Sequence, residues 1–152
     1  MKKRIIFVCT GNTCRSPMAE AIFKDIIKEK GIDENFEVSS AGVYAFDGDP
    51  ASYQAIEVMK KEFGIDIKTH RAKVLDDLDI ENADLILTMT KRHREMIVDI
   101  YPEWSSKVHV LKEFAGIEGD TDVIDPFGQD YYGYKNCAEE IEGLLLEVLD
   151  KI

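Results

Sequence analysis

The chain has 152 residues, of which 45% are hydrophobic, and its net charge at pH 7 is −11. This length supports one domain with a full hydrophobic core, spanning residues 1–152, and is too short for two domains of ordinary size. The negative charge argues against nonspecific binding to nucleic acid, and no apolar stretch reaches the roughly eighteen residues of a membrane span.

Apolar patterning along the chain alternates strands with helices. Strands are predicted at residues 5–8, 36–39, 83–88 and 108–111, and helices at residues 17–30, 51–63, 91–100 and 134–149. Strands separated by helices predict a parallel sheet that is covered on both faces. The expected fold class is therefore α/β, a single-domain three-layer sandwich with a central four-stranded parallel sheet.

The segment CTGNTCRS, residues 9–16, joins the first predicted strand to the first predicted helix. The N–H groups of such a loop converge, and the helix N-terminus adds positive potential, so the segment is typical of an anion-binding nest. The same field favours a thiolate at Cys9, while Arg15 can bind two phosphoryl oxygens with its planar guanidinium. Ser16 is placed to donate a hydrogen bond to the Cys9 sulfur.

The rest of this loop is predicted to bind phosphate. In a parallel sheet, ligands lie beyond the carboxyl ends of the strands, which is where the loop emerges. Gly11 and Asn12 are residue types that tolerate the positive φ of a tight loop. The alternative is a buried structural cysteine in an ordinary turn. The predicted phosphate-binding residues are Thr10, Gly11, Asn12, Thr13, Cys14 and Ser16.

The stretch VCTGNTCRSPMAEAIF resembles the signature of the low-molecular-weight protein tyrosine phosphatase family, and DPFG at residues 125–128 resembles that family's general-acid loop. The resemblance covers nearly the whole chain. It implies hydrolysis of phosphorylated proteins through a phosphocysteine on Cys9, with Asp125 as general acid and then base. An acid speeds departure of the leaving group, and its carboxylate then activates water. The resemblance also implies a supporting group of Asn12, Ser40 and His70, which would lock the loop.

Two positions depart from the tyrosine-specific pattern and resemble the protein arginine phosphatase branch. Thr13 stands where the tyrosine-specific members carry an apolar residue, and Gly128 follows Phe127 where they carry two aromatics. The Thr13 hydroxyl can accept a hydrogen bond from a guanidinium, Asp125 can pair with that cation, and Phe127 can stack on its plane. Phosphoarginine is therefore the favoured substrate, with phosphotyrosine as the alternative.

The remaining cysteines bear on redox chemistry and on two further functional classes. Cys14 could form a disulfide with an oxidised Cys9 and protect it, or could merely fill space. An arsenate reductase needs additional shuttle cysteines, and only Cys137 is left. A non-catalytic phosphate-binding module would be expected to lose Cys9, Arg15 or Asp125, and all three are present.

Three cysteines do not make a secreted disulfide framework, and the short apolar run at residues 5–8 is not expected to act as a signal peptide. We therefore expect a cytoplasmic protein, and we expect a monomer that does not bind membranes. His93 and His109 have no partners at a spacing that suggests metal ligation, so neither a metal nor another cofactor is expected.

Overall fold

A computed structural model describes residues 1–152. The strands are β1 (Lys3–Cys9), β2 (Phe36–Gly42), β3 (Leu85–Thr88) and β4 (Val108–Val110). The helices are α1 (Arg15–Glu29), α2 (Tyr53–Phe63), α3 (Asp77–Asn82), α4 (Lys91–Ile100), α5 (Leu111–Phe114) and α6 (Tyr131–Leu149). All strand pairs are parallel, in the order β2-β1-β3-β4. The predicted α/β fold class is confirmed.

The central strand β1 is buried on both faces, and its side chains alternate between two cores. Ile5 and Phe7 lie in a larger cluster with residues of α1, α2 and α6. Ile6 and Val8 lie in a smaller cluster with residues of α3, α4 and the other strands. This alternation follows from the two-residue period of a strand. Cys9, the last residue of β1, therefore ends a strand that is packed on both sides.

The helices differ in whether a side chain accepts hydrogen bonds from the backbone N–H groups at their N-termini. The side chains of Ser52, Asp76, Thr90 and Asp130 accept backbone hydrogen bonds at the starts of α2, α3, α4 and α6. Helix α1, which is 15 residues long, has no such cap, because the side chain of Cys14 at its start accepts no backbone hydrogen bond. The first N–H groups of a helix have no partner within the helix. The start of α1 is therefore open to a ligand.

Several element boundaries differ from the sequence predictions. Helix α6 begins at Tyr131 rather than at residue 134, because Asp130 caps it by accepting a hydrogen bond from the Gly133 N–H at 3.1 Å. Leu111 begins the short helix α5 and does not extend the last strand. Strands β1 and β2 are longer than predicted, because the pairing continues beyond the apolar runs at both ends. At one end Lys3 and Arg4 pair with β2, and at the other end residues 40–42 pair with β1.

Helices α1 and α2 begin at residues other than the predicted ones, and α3 has no counterpart among the predicted helices. Helix α1 begins at Arg15 rather than at Pro17, which lies inside its first turn. Helix α2 begins at residue 53 rather than at 51. Helix α3 was not predicted, because Ile80 is its one buried residue and the short segment shows no apolar period. No helix combines the length and the apolar character that crossing a membrane requires.

Candidate active site

Cys9 lies at the base of the loop between β1 and α1. It is 3% exposed, and its Sγ lies 2.9 Å from the Oγ of the fully buried Ser16. Asn12 adopts a positive φ of 56°, as its residue type allows. Gly11, whose residue type also tolerates positive φ, does not adopt it in the structure.

The backbone N–H groups of this loop have no acceptor in the protein. No hydrogen bond is donated by the N–H of any residue from 10 to 14. The first N–H groups of α1 continue the same row, and the helix dipole adds positive potential there. A loop of unpaired backbone donors that leads into a helix N-terminus is typical of an anion-binding site. The loop therefore has the chemistry of a phosphate cradle, with the Cys9 sulfur at its base.

Arg15 links this cradle to the segment that carries Asp125. Its guanidinium is buried, and Nη1 donates to the Val123 carbonyl oxygen at 3.0 Å. Nη2 donates to Thr10 Oγ1 at 3.5 Å and lies 3.6 Å from Asp125 Oδ2. The Asp125 side chain is 50% exposed, so it can reach a bound molecule. Arg15 thus holds the two segments in one arrangement.

A cavity of about 200 Å³ opens over Cys9. Phe127 stands at its mouth, with 76% of its surface exposed. Asp125 and Phe127 come from one segment, and the other lining residues come from the loop that follows β1. The lining residues are Cys9, Thr10, Gly11, Thr13, Cys14, Arg15, Asp125 and Phe127. All eight were predicted from the sequence as site residues, and the structure brings them together.

The other predicted residues lie behind the cavity wall, around Asn12. The buried Asn12 amide donates to Ser16 Oγ at 2.8 Å and to Ser40 Oγ at 2.9 Å. Its Oδ1 accepts from the Lys73 N–H at 3.0 Å. His70 Nε2 donates to the Asn12 carbonyl at 2.7 Å, since a carbonyl oxygen only accepts. The network reaches the Cys9 sulfur through Ser16.

Two residues that support the loop were not found from the sequence. Glu20 accepts a hydrogen bond from Ser40 Oγ at 2.6 Å and so ends the network on α1. A Cβ added to Gly42 would lie 2.5 Å from the Thr10 carbonyl oxygen. Only glycine therefore lets the end of β2 approach the loop this closely. The available signal for Gly42 was its place at the end of β2, whose sequence FEVSSAG mixes polar and apolar residues.

The sequence predicts no role for His93, yet its side chain lies beneath the cavity rim. It is 4% exposed, and its Nε2 lies 2.8 Å from Thr10 Oγ1. Burial and the positive charge of Arg15 lower the pKa of His93 to about 4, although Asp122 and Asp125 oppose the shift. The imidazole is therefore neutral near pH 7. The available signal was its place in a helix that follows a buried strand.

All three cysteines are free thiols. Cys14 Sγ lies 3.4 Å from the Tyr134 hydroxyl and 3.5 Å from Ser52 Oγ. Cys137 lies in the larger core, and burial raises the pKa of its thiol to about 12. Because a thiol with so high a pKa is a poor nucleophile, Cys137 is chemically inert near pH 7. No group of three or more His, Cys, Asp or Glu residues is arranged to hold a metal ion.

The α/β fold, the cradle and the cysteine at its base define a cysteine-based phosphatase of small size. The chain belongs to the low molecular weight phosphotyrosine protein phosphatase family, whose model matches residues 4–152. The resemblance seen in the sequence is thereby confirmed.

Relatives of this chain carry two kinds of name. The protein-arginine-phosphatase of Bacillus subtilis (strain 168) is 41% identical over 150 residues, which cover 97% of this chain and 95% of that protein. The low molecular weight protein-tyrosine-phosphatase PtpB of Staphylococcus haemolyticus is 38% identical and covers 91% of each chain. The crystal structure of a low molecular weight protein tyrosine phosphatase from T. tengcongensis superposes with a TM-score of 0.93 at 50% identity, covering 99% of this chain and 100% of that one.

Proposed function

We propose that the protein hydrolyses phosphoarginine on proteins through a phosphocysteine on Cys9. The observation that carries this proposal is the Cys9 sulfur at the base of a row of unpaired N–H groups, with Asp125 across the cavity. Relatives named as arginine phosphatases support it. The protein acts as a single phosphatase domain over residues 1–152.

In the first step, the Cys9 thiolate attacks phosphorus and the bond from phosphorus to the leaving guanidine nitrogen breaks. Asp125 donates its proton to that nitrogen, so the leaving group departs neutral. The cradle N–H groups and Arg15 stabilise the charge on the phosphoryl oxygens as the transition state forms. The first product is the dephosphorylated arginine side chain.

In the second step, water hydrolyses the phosphocysteine. The Asp125 carboxylate removes a proton from the water, whose oxygen attacks phosphorus, and the bond between phosphorus and sulfur breaks. Cys9 leaves as a thiolate, and the Ser16 hydroxyl at 2.9 Å stabilises it by donating a hydrogen bond. Phosphate then leaves, and Asp125 is again protonated for the next cycle.

The preference for arginine rests on the cavity wall and mouth. Thr13 lines the cavity, and its hydroxyl can accept a hydrogen bond from a guanidinium N–H. The carbonyl oxygen of the protonated Asp125 carboxyl group can accept a hydrogen bond from the same guanidinium, and the exposed Phe127 ring can stack on its plane. A phosphotyrosine ring offers neither a positive charge nor an N–H donor at these positions. Phosphotyrosine remains the second candidate, because other relatives are named as tyrosine phosphatases.

Peptide substrates test the preference. Wild type should show a higher kcat/KM for a phosphoarginine peptide than for the matched phosphotyrosine peptide. Thr13→Val removes the hydroxyl while keeping the branched shape, and Thr13→Ile also narrows the cavity. Both should lower the ratio of kcat/KM for the phosphoarginine peptide to kcat/KM for the phosphotyrosine peptide, whereas Thr13→Ser should keep this ratio. A wild type that prefers phosphotyrosine, or a ratio that Thr13→Ile leaves unchanged, would contradict the arginine assignment.

The covalent intermediate is tested separately. Acid quenching within the first turnover of p-nitrophenyl phosphate should trap phosphate on Cys9. Cys9→Ser should lower kcat by at least about a thousandfold, because a serine hydroxyl is a much weaker nucleophile than a cysteine thiolate near pH 7. If phosphate is never trapped on Cys9 and the serine variant keeps its rate, the proposed mechanism is wrong.

We also propose that the enzyme acts as a monomer in the cytoplasm on phosphorylated proteins. One chain supplies the nucleophile, the arginine and the general acid of this mechanism. The thiolate of Cys9 needs a reducing compartment to stay reduced, and the cytoplasm provides one. Sedimentation equilibrium over a tenfold range of concentration should give one chain mass.

A further inference from the structure

His93 and Thr10 form a polar pair that the mechanism above does not use. Thr10 lies at the exposed rim of the cavity, whereas His93 is buried beneath it on the first turn of α4. The 2.8 Å contact between His93 Nε2 and Thr10 Oγ1 joins residues that are 83 positions apart in the chain. Arg15 Nη2 donates to the same Thr10 oxygen at 3.5 Å. Three polar groups therefore meet at one hydroxyl.

The position of the imidazole proton follows from the unpaired nitrogen. His93 Nδ1 is shielded from solvent and has no hydrogen-bond partner. A buried N–H without an acceptor is rarer in proteins than an acceptor without a donor. The neutral ring therefore carries its proton on Nε2, from which it donates to Thr10 Oγ1.

The hydroxyl of Thr10 then has a defined role. A hydroxyl can accept two hydrogen bonds and donate one. Both acceptor positions are taken, one by His93 and one by the Arg15 guanidinium, which can only donate. The hydroxyl hydrogen is left without a partner in the protein, and Thr10 lines the cavity. It is free to donate to an oxygen of a phosphoryl group in the cradle.

We propose that His93 is a positioning residue, which orients the Thr10 hydroxyl as an additional donor to the bound phosphoryl group and holds it against Arg15. The inference rests on the proposed function in that it assumes a phosphoryl ligand in the cradle. If His93 only filled space, an apolar side chain of similar size would stabilise the fold more, because it would bury no unpaired nitrogen.

Binding of tungstate, a tetrahedral oxyanion, tests the proposal by calorimetry at pH 7. Thr10→Val and His93→Leu should each raise the Kd of tungstate about tenfold or more, as expected for the loss of a hydrogen bond to a charged group. Thr10→Ser and His93→Gln retain the hydroxyl and the donor, and should stay within about threefold of wild type. The double variant should bind no more than about twofold weaker than Thr10→Val, because His93 acts through Thr10.

A structural role for His93 predicts a different pattern. In that case His93→Leu would lower the thermal midpoint of unfolding and leave the Kd of tungstate unchanged. Alternatively, the factors by which the two substitutions raise this Kd would multiply in the double variant. Either result would overturn the proposal. If His93→Leu does not fold, Thr10→Val, Thr10→Ser and His93→Gln still test the proposal. A Kd of tungstate that Thr10→Val leaves unchanged would also overturn it. A wild type that binds tungstate but hydrolyses no phosphoester or phosphoarginine would refute the proposed function alone.

Discussion

Substituting Asn12 by alanine removes three side-chain hydrogen bonds from the interior of the phosphate-binding loop. The amide pairs with Ser16, Ser40 and the Lys73 N–H, at distances between 2.8 and 3.0 Å. Each such bond contributes about 1 kcal/mol net, which gives about 3 kcal/mol for the set. Alanine must also adopt the φ of 56°, which adds about 1 kcal/mol. Asn12→Ala should therefore lower the free energy of unfolding by about 4 kcal/mol.

Glycine at the same position separates the two contributions. Asn12→Gly loses the same hydrogen bonds but adopts the positive φ without strain, so it should lose about 3 kcal/mol. Urea denaturation at pH 7, monitored by circular dichroism, measures all variants. Asn35→Ala, at an exposed asparagine, is the control and should stay within about 0.5 kcal/mol of wild type. The reasoning fails if Asn12→Ala loses less than about 1 kcal/mol, or if glycine destabilises as much as alanine.

Three further outcomes are expected. Gly42→Ala places a Cβ 2.5 Å from a loop carbonyl oxygen, so kcat/KM should fall at least about tenfold, whereas Gly143→Ala meets nothing and should keep it. The pKa of His93 lies near 4, below its usual 6.5, so the unfolded chain takes up the proton first as the pH falls. Between pH 7 and pH 4, wild type should therefore lose about 3 kcal/mol more unfolding free energy than His93→Gln, and equal losses by urea denaturation would contradict this. Peroxide should inactivate wild type reversibly, with thiols restoring activity, and Cys14→Ala irreversibly; full recovery of that variant would exclude protection of Cys9.

The loop after β1 was predictable because its signals are local. A buried strand, Cys9, the asparagine with positive φ and the arginine all lie within residues 5–15. The parallel sheet was predictable for the same reason, since four apolar runs separated by helical periods leave few other architectures. The polar helix α3 was not predicted, because a single buried residue, Ile80, produces no apolar periodicity in the sequence.

The supporting residues were harder to find because tertiary contacts select them. His93 lies 83 positions from Thr10, and nothing in its own neighbourhood marks it as part of the site. Gly42 is required by the close approach of another segment, which only the folded chain brings about. Of the two residues that tolerate positive φ, only Asn12 adopts it, and the sequence alone does not say which of the two the loop uses.

The bond from Arg15 to the carbonyl of Val123 spans 108 positions of the chain, and the contact between Cys14 and Tyr134 spans 120. Contacts between residues so far apart in sequence form late in folding, since a long loop must close first. On the ribosome, the nucleophile emerges early, but the bond from Arg15 to the Val123 carbonyl oxygen cannot form until residue 123 of the 152 has been synthesised. Chemical competence is thereby coupled to completion of the polypeptide, and a prematurely released chain would lack a functional pocket.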